Sequence, residues 1–267
     1  MPHDPSGTPS SQDSPAILVG CAELPPGLRR VRYFQRRRYL EVADTMYQLP
    51  KLSVLSRWSG DAEPNGRFGL LAPQVITHKP DPRGYRRGGD NLAREQLADA
   101  GWFRATDLVV RSVEEFARVV RSVPTDAVLF RAPADFSPSA ANREALRRFF
   151  TDIAPAEIFA GAVRVWEPQG LWEPALAARV AAELGVVYAC DPMSNDPLGA
   201  KPDFFARLPT RDAYFRLTGL GRARQRFDAY ALSTLLETVA AYDRVWIVFA
   251  NADKYPDSMQ LQRILEQ

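Results

Sequence analysis

Short apolar runs recur along the chain, and polar segments with helical periodicity separate them. Each run is rich in Val, Ile, Tyr or Phe and is bounded by Pro, Gly, Asn or Asp, which is typical of buried β-strands. Eight strands are predicted, at residues 17–21, 39–43, 67–72, 127–131, 162–166, 186–190, 213–217 and 245–249. Helices are predicted at residues 51–59, 91–102, 112–123, 139–153, 173–184, 228–242 and 257–266.

This alternation predicts a parallel sheet, because parallel neighbours are joined by crossover connections. Eight strand–helix units fit an α/β fold of the (β/α)8 TIM-barrel type, and an open doubly wound sheet is the alternative. No linker is evident within residues 16–267, so this range is predicted to be a single domain. Residues 1–15 are polar, rich in Pro and Ser, and unlike a signal peptide, so we expect a disordered tail.

Charged residues interrupt four of the apolar runs. Glu41 lies in the second predicted strand, and three arginines lie in or at the ends of others, namely Arg131, Arg164 and Arg216. A carboxylate within a buried strand needs a cationic partner, because an unpaired buried charge is costly. We therefore predict that Glu41 points into the barrel and pairs with at least one of these arginines.

Composition narrows the function classes only slightly. Of 267 residues, 46% are hydrophobic and 25% are charged, which is ordinary for a globular domain. The net charge of +2 argues neither for nor against nucleic acid, and the apolar runs are too short to cross a membrane. Cys21 and Cys190 form no CxxC pair, and with no export signal they are expected to be reduced thiols in a cytoplasmic protein.

Six motifs spread along the chain carry a resemblance to a known family. They read EVADTMYQLP (41–50), FGLLAPQVITH (68–78), LFRAPADF (129–136), ACDP (189–192), YFRLTG (214–219) and VFAN (248–251). In this order they resemble the signatures of the YecE-like family, domain of unknown function 72. The resemblance spans about residues 16–265 and implies a TIM-barrel type of fold with no established activity.

By this resemblance the chain is a divergent member. Ala43 and Asp44 stand where the family usually has Asn and Ser. Leu71 replaces a usual Lys, and Thr218 replaces a usual His. Other family positions are kept: Glu41, Thr45, Tyr47, Thr77, His78, Asp191, Arg216, Gly219 and Asn251.

The active site of a (β/α)8 barrel lies at the carboxyl ends of the strands. The candidate catalytic residues there are His78, Asp191 and Glu167. The candidate substrate-binding residues are Glu41, Thr45, Tyr47, Arg131, Arg164, Arg216, Thr218, Gly219, Gly221, Arg222, Arg224 and Asn251. No metal or other cofactor is predicted, because His78 is the sole histidine of the folded part and no spacing of carboxylates demands a metal.

Two basic loops that contain glycine are further candidates. Residues 79–90 follow the third strand and are either an anion-attracting lid or an ordinary solvated loop. After the seventh strand, Thr218, Gly219 and Gly221 precede Arg222 and Arg224. Backbone amides and guanidinium groups in this position suit a phosphate, and the alternative is a solvated basic turn.

Three hypotheses about function follow. The first is a cytoplasmic, hydrolase-like enzyme acting on a small anionic or phosphorylated molecule, with arginines binding the anion and His78 or Asp191 moving a proton. The second is a barrel that binds or processes nucleic acid with the same arginines. The third is a binding protein without catalysis, suggested by the replaced family residues. No membrane partner is expected, and the oligomeric state is not predicted.

Overall fold

The chain folds into a closed barrel of parallel strands in a computed structural model that describes residues 15–80, 94–194, 202–219 and 226–267. The strands are β1 (Ala16–Ala22), β2 (Tyr39–Val42), β3 (Arg67–Leu71), β4 (Thr125–Arg131), β5 (Val163–Glu167), β6 (Val187–Cys190), β7 (Asp212–Leu217) and β8 (Arg244–Phe249). Each pairs with the next, and β8 pairs with β1 from Ala16 opposite Arg244 to Cys21 opposite Phe249. The predicted (β/α)8 barrel is confirmed, because an open doubly wound sheet would have unpaired edge strands.

The helices of the described residues are α1 (Arg30–Phe34), α2 (Leu52–Ala62), α3 (Gln74–Thr77), α4 (Arg94–Leu97), α5 (Asp107–Arg121), α6 (Ala140–Arg148), α7 (Pro174–Glu183), α8 (Pro202–Phe205), α9 (Ala229–Val239) and α10 (Lys254–Leu265). A π-helical turn (Phe149–Ile153) extends α6. None of these described helices has the length and apolar character needed to span a bilayer. The predicted tail, except residue 15, and most of the predicted lid at 79–90 lie outside the described residues.

One predicted helix is shorter than expected and the next begins earlier. In place of the helix predicted at residues 91–102, the structure has only the single turn of α4 within the described residues. Trp102 and Phe103 have positive φ angles of 59° and 55°, which a right-handed helix does not contain. The side chain of Thr106 then accepts a hydrogen bond from the backbone N–H of Val109, so α5 begins at Asp107.

Alternation along the strands produces two apolar layers. Outward side chains such as Phe130, Phe215 and Ile247 pack against the helices in the larger core. Inward side chains such as Leu129 and Val165 fill the barrel. The inward positions nearest the carboxyl ends of several strands are charged, so the barrel filling becomes polar at the end where the site of a TIM barrel lies.

Candidate functional site

Four charged side chains form a continuous series inside the carboxyl end of the barrel. In order they are Glu41 on β2, Arg216 on β7, Glu167 on β5 and Arg131 on β4, and we call them the charge ladder. Arg216 Nε lies 3.0 Å from Glu41 Oε1, and Arg216 Nη1 lies 3.6 Å from Glu167 Oε1. Arg131 Nε lies 3.3 Å from Glu167 Oε2. The predicted inward Glu41 paired with an arginine is therefore confirmed, and the partner is Arg216.

Two tyrosines lie one layer deeper in the barrel than the charge ladder and form hydrogen bonds that reach Glu41. Tyr214 donates a hydrogen bond from its hydroxyl to Glu41 Oε2 at 2.9 Å, and the Tyr39 and Tyr214 hydroxyls are 3.1 Å apart. Burial raises the pKa of both phenols well above the ordinary value, so both stay protonated at physiological pH. Neither residue was predicted as part of the site. Alternation does point to them, because each stands two residues before a ladder residue, Glu41 or Arg216.

A cavity of about 280 Å³ opens beside the charge ladder at the carboxyl ends of β5, β6 and β7. Its polar lining comprises Glu167, Gln169, Asp191, Ser194, Arg216 and Thr218. Trp172, Tyr188 and Phe205 contribute aromatic surface. A concave site with a few converging polar groups and aromatic walls is typical of small-molecule binding. The structure thus brings two predicted catalytic residues, Glu167 and Asp191, to one cavity.

Asp191 is held in place at this cavity by hydrogen bonds to both carboxylate oxygens. Oδ2 accepts from the backbone N–H and the hydroxyl of Thr218, each at 2.7 Å. Oδ1 accepts from the backbone N–H of Met193 at 3.0 Å. The carboxylate therefore ties the loop after β6 to the end of β7. Because its direction is fixed, Asp191 is suited to orienting a bound group.

Arg131 and His78 extend the polar surface toward the loop after β3. When the Gln169 amide is oriented with its oxygen toward Arg131, this oxygen accepts hydrogen bonds from Nε and Nη2 of Arg131, each at 2.7 Å. His78 Nδ1 lies 2.7 Å from the hydroxyl of Thr77. Burial, reinforced by the charge of Arg131, lowers the pKa of His78 to about 4. The imidazole is therefore neutral at physiological pH, which favours a hydrogen-bonding role over proton donation.

Three further residues predicted to bind substrate do not line this cavity. The buried Thr45 hydroxyl donates to the backbone carbonyls of Val42 and Leu71, at 3.0 and 2.8 Å, and so joins the ends of β2 and β3. Thr45 and Tyr47 line a different cavity, of about 410 Å³, next to α5. Asn251 donates from Nδ2 to Asp257 at 2.7 Å, which connects the end of β8 to α10.

The prediction that Arg164 belongs to the charged centre is wrong. Arg164 and Glu167 are three residues apart on one strand, so they face opposite sides of the sheet. Glu167 faces the barrel, and Arg164 faces the helices. The Arg164 guanidinium donates hydrogen bonds to three backbone carbonyls, those of Phe150, Ala154 and Gly185. Its role is to satisfy carbonyls near the ends of α6 and α7.

The loop predicted to bind phosphate is only partly described. Gly219 has a φ of 57°, a conformation that glycine adopts without a steric penalty, and Gly221, Arg222 and Arg224 lie outside the described residues. Arg226, where the description resumes, lies 3.2 Å from Asp257 Oδ1 and is therefore directed toward α10. The phosphate-binding role of this loop stays a prediction.

The polar side chains at the cavity are suited to hydrogen bonding and proton transfer, and they are poorly suited to holding a metal ion. Within the described ranges, His, Cys, Asp and Glu side chains form no group of three or more that could hold a metal ion. Glu167 is flanked by Arg131 and Arg216, so guanidinium groups already compensate its charge. A metal at this carboxylate would have to displace them, which makes the residues present a poor fit for one.

Comparison with known proteins gives the family. A family model described as Protein of unknown function DUF72 matches residues 22–267. A solved DUF72 family protein from Enterococcus faecalis V583 is 16% identical, with a TM-score of 0.65 over 94% of this chain and 98% of that chain. Another, from Thermotoga maritima MSB8, is 16% identical, with a TM-score of 0.64 over 94% of this chain and 100% of that chain.

The same fold is found in a solved epimerase. A D-psicose 3-epimerase solved in the presence of D-fructose is 12% identical, with a TM-score of 0.52 over 93% of this chain and 97% of that chain. A likeness at such low identity shows the fold alone. No match was found among curated proteins. The family match agrees with the resemblance seen in the six sequence motifs, and the chain belongs to the DUF72 family of proteins of unknown function.

Proposed function

We propose that the chain is a cytoplasmic enzyme that binds a small, hydroxylated, anionic molecule at the barrel mouth and transfers a proton on it. The observation that carries the proposal is the charge ladder, which reaches the cavity at Glu167 and Arg216. Charges enclosed in a barrel cost desolvation free energy that an apolar filling avoids, and such networks are frequent at functional sites. The thiols of Cys21 and Cys190 are both free, which supports a reducing compartment.

Arg131 binds the anionic group, because it is the most exposed member of the charge ladder. Its side chain is 32% exposed, compared with 12% for Glu167 and 10% for Arg216. A planar guanidinium matches a carboxylate or phosphate through two parallel hydrogen bonds. Asp191 accepts a hydrogen bond from a substrate hydroxyl and so orients the molecule in the cavity.

Glu167 accepts the proton. It lines the cavity, with Arg131 Nε 3.3 Å and Arg216 Nη1 3.6 Å from its oxygens. Its Oε2 atom has no hydrogen-bond donor among the described residues, so this oxygen can accept a proton. A substrate C–H bond next to a carbonyl breaks, the proton passes to Glu167, and the electron pair moves onto the carbonyl oxygen. Arg216 stabilises the negative charge that develops there. The D-fructose used with the solved D-psicose 3-epimerase belongs to this class of hydroxylated carbonyl compounds.

Other functions predicted from the sequence would use the same residues. In the hydrolase-like reaction, the Glu167 carboxylate accepts a proton from the water molecule that attacks the substrate. A barrel that binds nucleic acid would use Arg131 and Arg216 on a phosphodiester, but the two carboxylates of the charge ladder offset these two cations, which disfavours a polyanion. A binding protein would hold the small molecule without turnover.

The test uses fructose 6-phosphate and D-fructose, which differ only in the phosphate group. Calorimetry measures binding, and NMR in D2O measures exchange of carbon-bound protons. We expect Arg131→Gln to weaken binding of the phosphorylated sugar by about tenfold or more, as expected for loss of a charged hydrogen bond, and to leave D-fructose unaffected. Glu167→Gln should retain binding and abolish the exchange.

Arg147→Gln is the matched control, because Arg147 pairs with Glu144 on the exposed side of α6. It should change neither binding nor exchange. Equal affinity of the wild type for the two sugars, or exchange that survives Glu167→Gln, contradicts the proposal. Release of phosphate that requires Glu167 favours the hydrolase, and binding without exchange favours the non-catalytic protein.

A further inference from the structure

A groove of about 970 Å³ lies at the amino-terminal end of the barrel, opposite the mouth. It is bounded by the start of β1, the segments that precede β2 and β3, and α10. Its apolar wall includes Ile17, Val19, Phe34, Met259 and Leu265. Its charged residues are Arg36, Arg37, Arg38, Arg263, Glu63 and Glu266, so four positive charges face two negative ones.

The four arginines of this groove lack the carboxylate partners that many other arginines of the described chain have. Ion pairs with carboxylates are formed by Arg30, Arg131, Arg147, Arg179, Arg211, Arg216, Arg226 and Arg244. Within the described part of the chain, the groove arginines form no such pair, although Glu63 and Glu266 line the same groove. Among the described residues, the groove therefore has an excess of positive charge.

Arg37 is the buried member of this group, at 3% exposed. Its Nε donates to the Ser258 hydroxyl at 3.3 Å, and its Nη1 donates to the carbonyl of Arg36. Its Nη2 is buried and has no hydrogen-bond partner among the described residues. A guanidinium stays charged in proteins, so a buried one with an unused donor is costly when no carboxylate of the described residues lies at ion-pair distance.

The helix dipole accounts for only part of this cluster. Basic residues are favoured in the last turn of a helix, and Arg263 occupies that position in α10. This effect falls off within the last turn of a helix, so it does not explain why Arg37 is enclosed with no described carboxylate close enough to form an ion pair as its counter-charge. An anion in the groove would provide one.

We propose that this groove binds an organic phosphate with a small apolar body. The phosphate is held by Arg38 and Arg263 at the exposed rim, and the buried charge of Arg37 adds to the attraction. The apolar body packs against Ile17 and Phe34. Guanidinium groups suit phosphate because their planar donors match its oxygens, and the apolar wall distinguishes an organic phosphate from the inorganic ion.

The test measures binding of phenyl phosphate and inorganic phosphate to the full chain by calorimetry at constant ionic strength. We expect saturable binding of phenyl phosphate that is about tenfold tighter than that of inorganic phosphate, because the ring removes apolar surface from water. Arg38→Gln combined with Arg263→Gln should weaken phenyl phosphate binding by about tenfold or more, through loss of charged hydrogen bonds. Arg37→Met should weaken it as well.

The matched control is Arg147→Gln combined with Arg179→Gln, which also removes two exposed positive charges and should leave the affinity unchanged. The phenyl phosphate binding that is lost in Arg38→Gln combined with Arg263→Gln should persist in Arg131→Gln, which separates this site from the proposed active site. If Arg37→Met fails to fold, the exposed double variant decides the question. Equal affinity of that double variant and the wild type, or no preference for phenyl phosphate, overturns the proposal.

Discussion

The Nε atom of Arg216 on β7 lies 3.0 Å from the Oε1 atom of Glu41 on β2, so this ion pair crosses the barrel between strands that are not neighbours. Glu41 is fully enclosed, and the side chain of Arg216 is 10% exposed. Burial lowers the pKa of Arg216, but the attraction of Glu41 and Glu167 outweighs it, and the pKa is raised. Each charge therefore depends on the other for compensation.

Removing the charge of Glu41 should destabilise the fold strongly. Glu41→Gln leaves Arg216 without its closest carboxylate, and breaking a buried pair from one side costs about 3–5 kcal/mol. Urea unfolding measures the change in free energy. Glu144→Gln, which removes an exposed carboxylate from α6, should leave the midpoint unchanged. A Glu41→Gln midpoint equal to that of the wild type would show that the pair does not stabilise the barrel.

Removing both charges should separate stability from function. In Glu41→Leu combined with Arg216→Met, neither side chain is left charged and unpaired, so we expect most of the stability lost in Glu41→Gln to be regained. The same variant loses the arginine that lines the cavity beside Glu167. The double variant should therefore recover stability in urea unfolding and bind fructose 6-phosphate more weakly than the wild type. Recovery of stability together with undiminished binding would argue against a role for Arg216 in the site.

The Tyr214 hydroxyl should contribute more than that of Tyr39. Tyr214→Phe removes the donor 2.9 Å from Glu41 Oε2 and should cost about 1–3 kcal/mol, because a buried carboxylate oxygen loses a hydrogen bond. Tyr39→Phe keeps that bond and removes only the contact between the two hydroxyls. We expect the urea midpoint to fall further for Tyr214→Phe. The reverse order would mean that Tyr39 determines the position of Glu41.

Successive side chains of a strand point to opposite faces of the sheet, and this alternation explains why the direction of Glu41 could be predicted. It placed Glu41 on the inward face, and the need for a counter-charge then required an arginine opposite, which is Arg216. The same alternation places Arg164, three positions before Glu167, on the outward face of β5. An arginine within an apolar run therefore indicates the charged centre only when its position in the strand faces inward.

Contacts between distant segments could not be predicted in this way. Trp172 lies in a loop without periodicity, and its position at the cavity depends on a hydrogen bond to the carbonyl of Phe136. Arg37 is one of three consecutive arginines, and its burial depends on Ser258 of α10, which is 221 residues away along the chain. Neither relationship leaves a local pattern in the sequence.

His78 should make stability depend on pH in the acidic range. Its pKa is about 4 in the folded chain and 6.5 without the fold, so between these values the unfolded chain binds a proton that the folded chain does not. The contribution of neutral His78 to the free energy of unfolding is therefore fully present above pH 6.5. It declines as the pH falls toward 4 and changes no further below that pH.

The measurement is the difference in unfolding free energy between wild type and His78→Gln from pH 4 to 7.5, which cancels groups that titrate equally in both proteins. We expect this difference to shift in favour of the wild type as the pH rises, and the His78 ring resonances to titrate near pH 4 in NMR. A difference that is constant with pH, or an NMR midpoint near 6.5, would show that the partly buried surroundings of the imidazole do not lower its pKa.

Gly69 on β3 provides the space that Tyr39 occupies inside the barrel. A Cβ atom at Gly69 would overlap the hydroxyl oxygen of Tyr39 and lie 2.7 Å from its Cζ atom. The ring is fully buried, so it has little room to move, and Gly69→Ala should cost about 1–3 kcal/mol through overpacking. Because the Tyr39 hydroxyl contacts that of Tyr214, the substitution should also disturb the support of Glu41.

Gly60→Ala is the matched control, because Gly60 lies in α2 and a Cβ there would meet no atom within 4 Å. Alanine favours a helix over glycine, so this substitution should stabilise the chain by about 0.5–1 kcal/mol. Urea unfolding should therefore move the two midpoints in opposite directions. If both alanine variants raised the midpoint, Tyr39 could shift without loss, and the barrel filling would not hold Glu41 rigidly in front of Arg216.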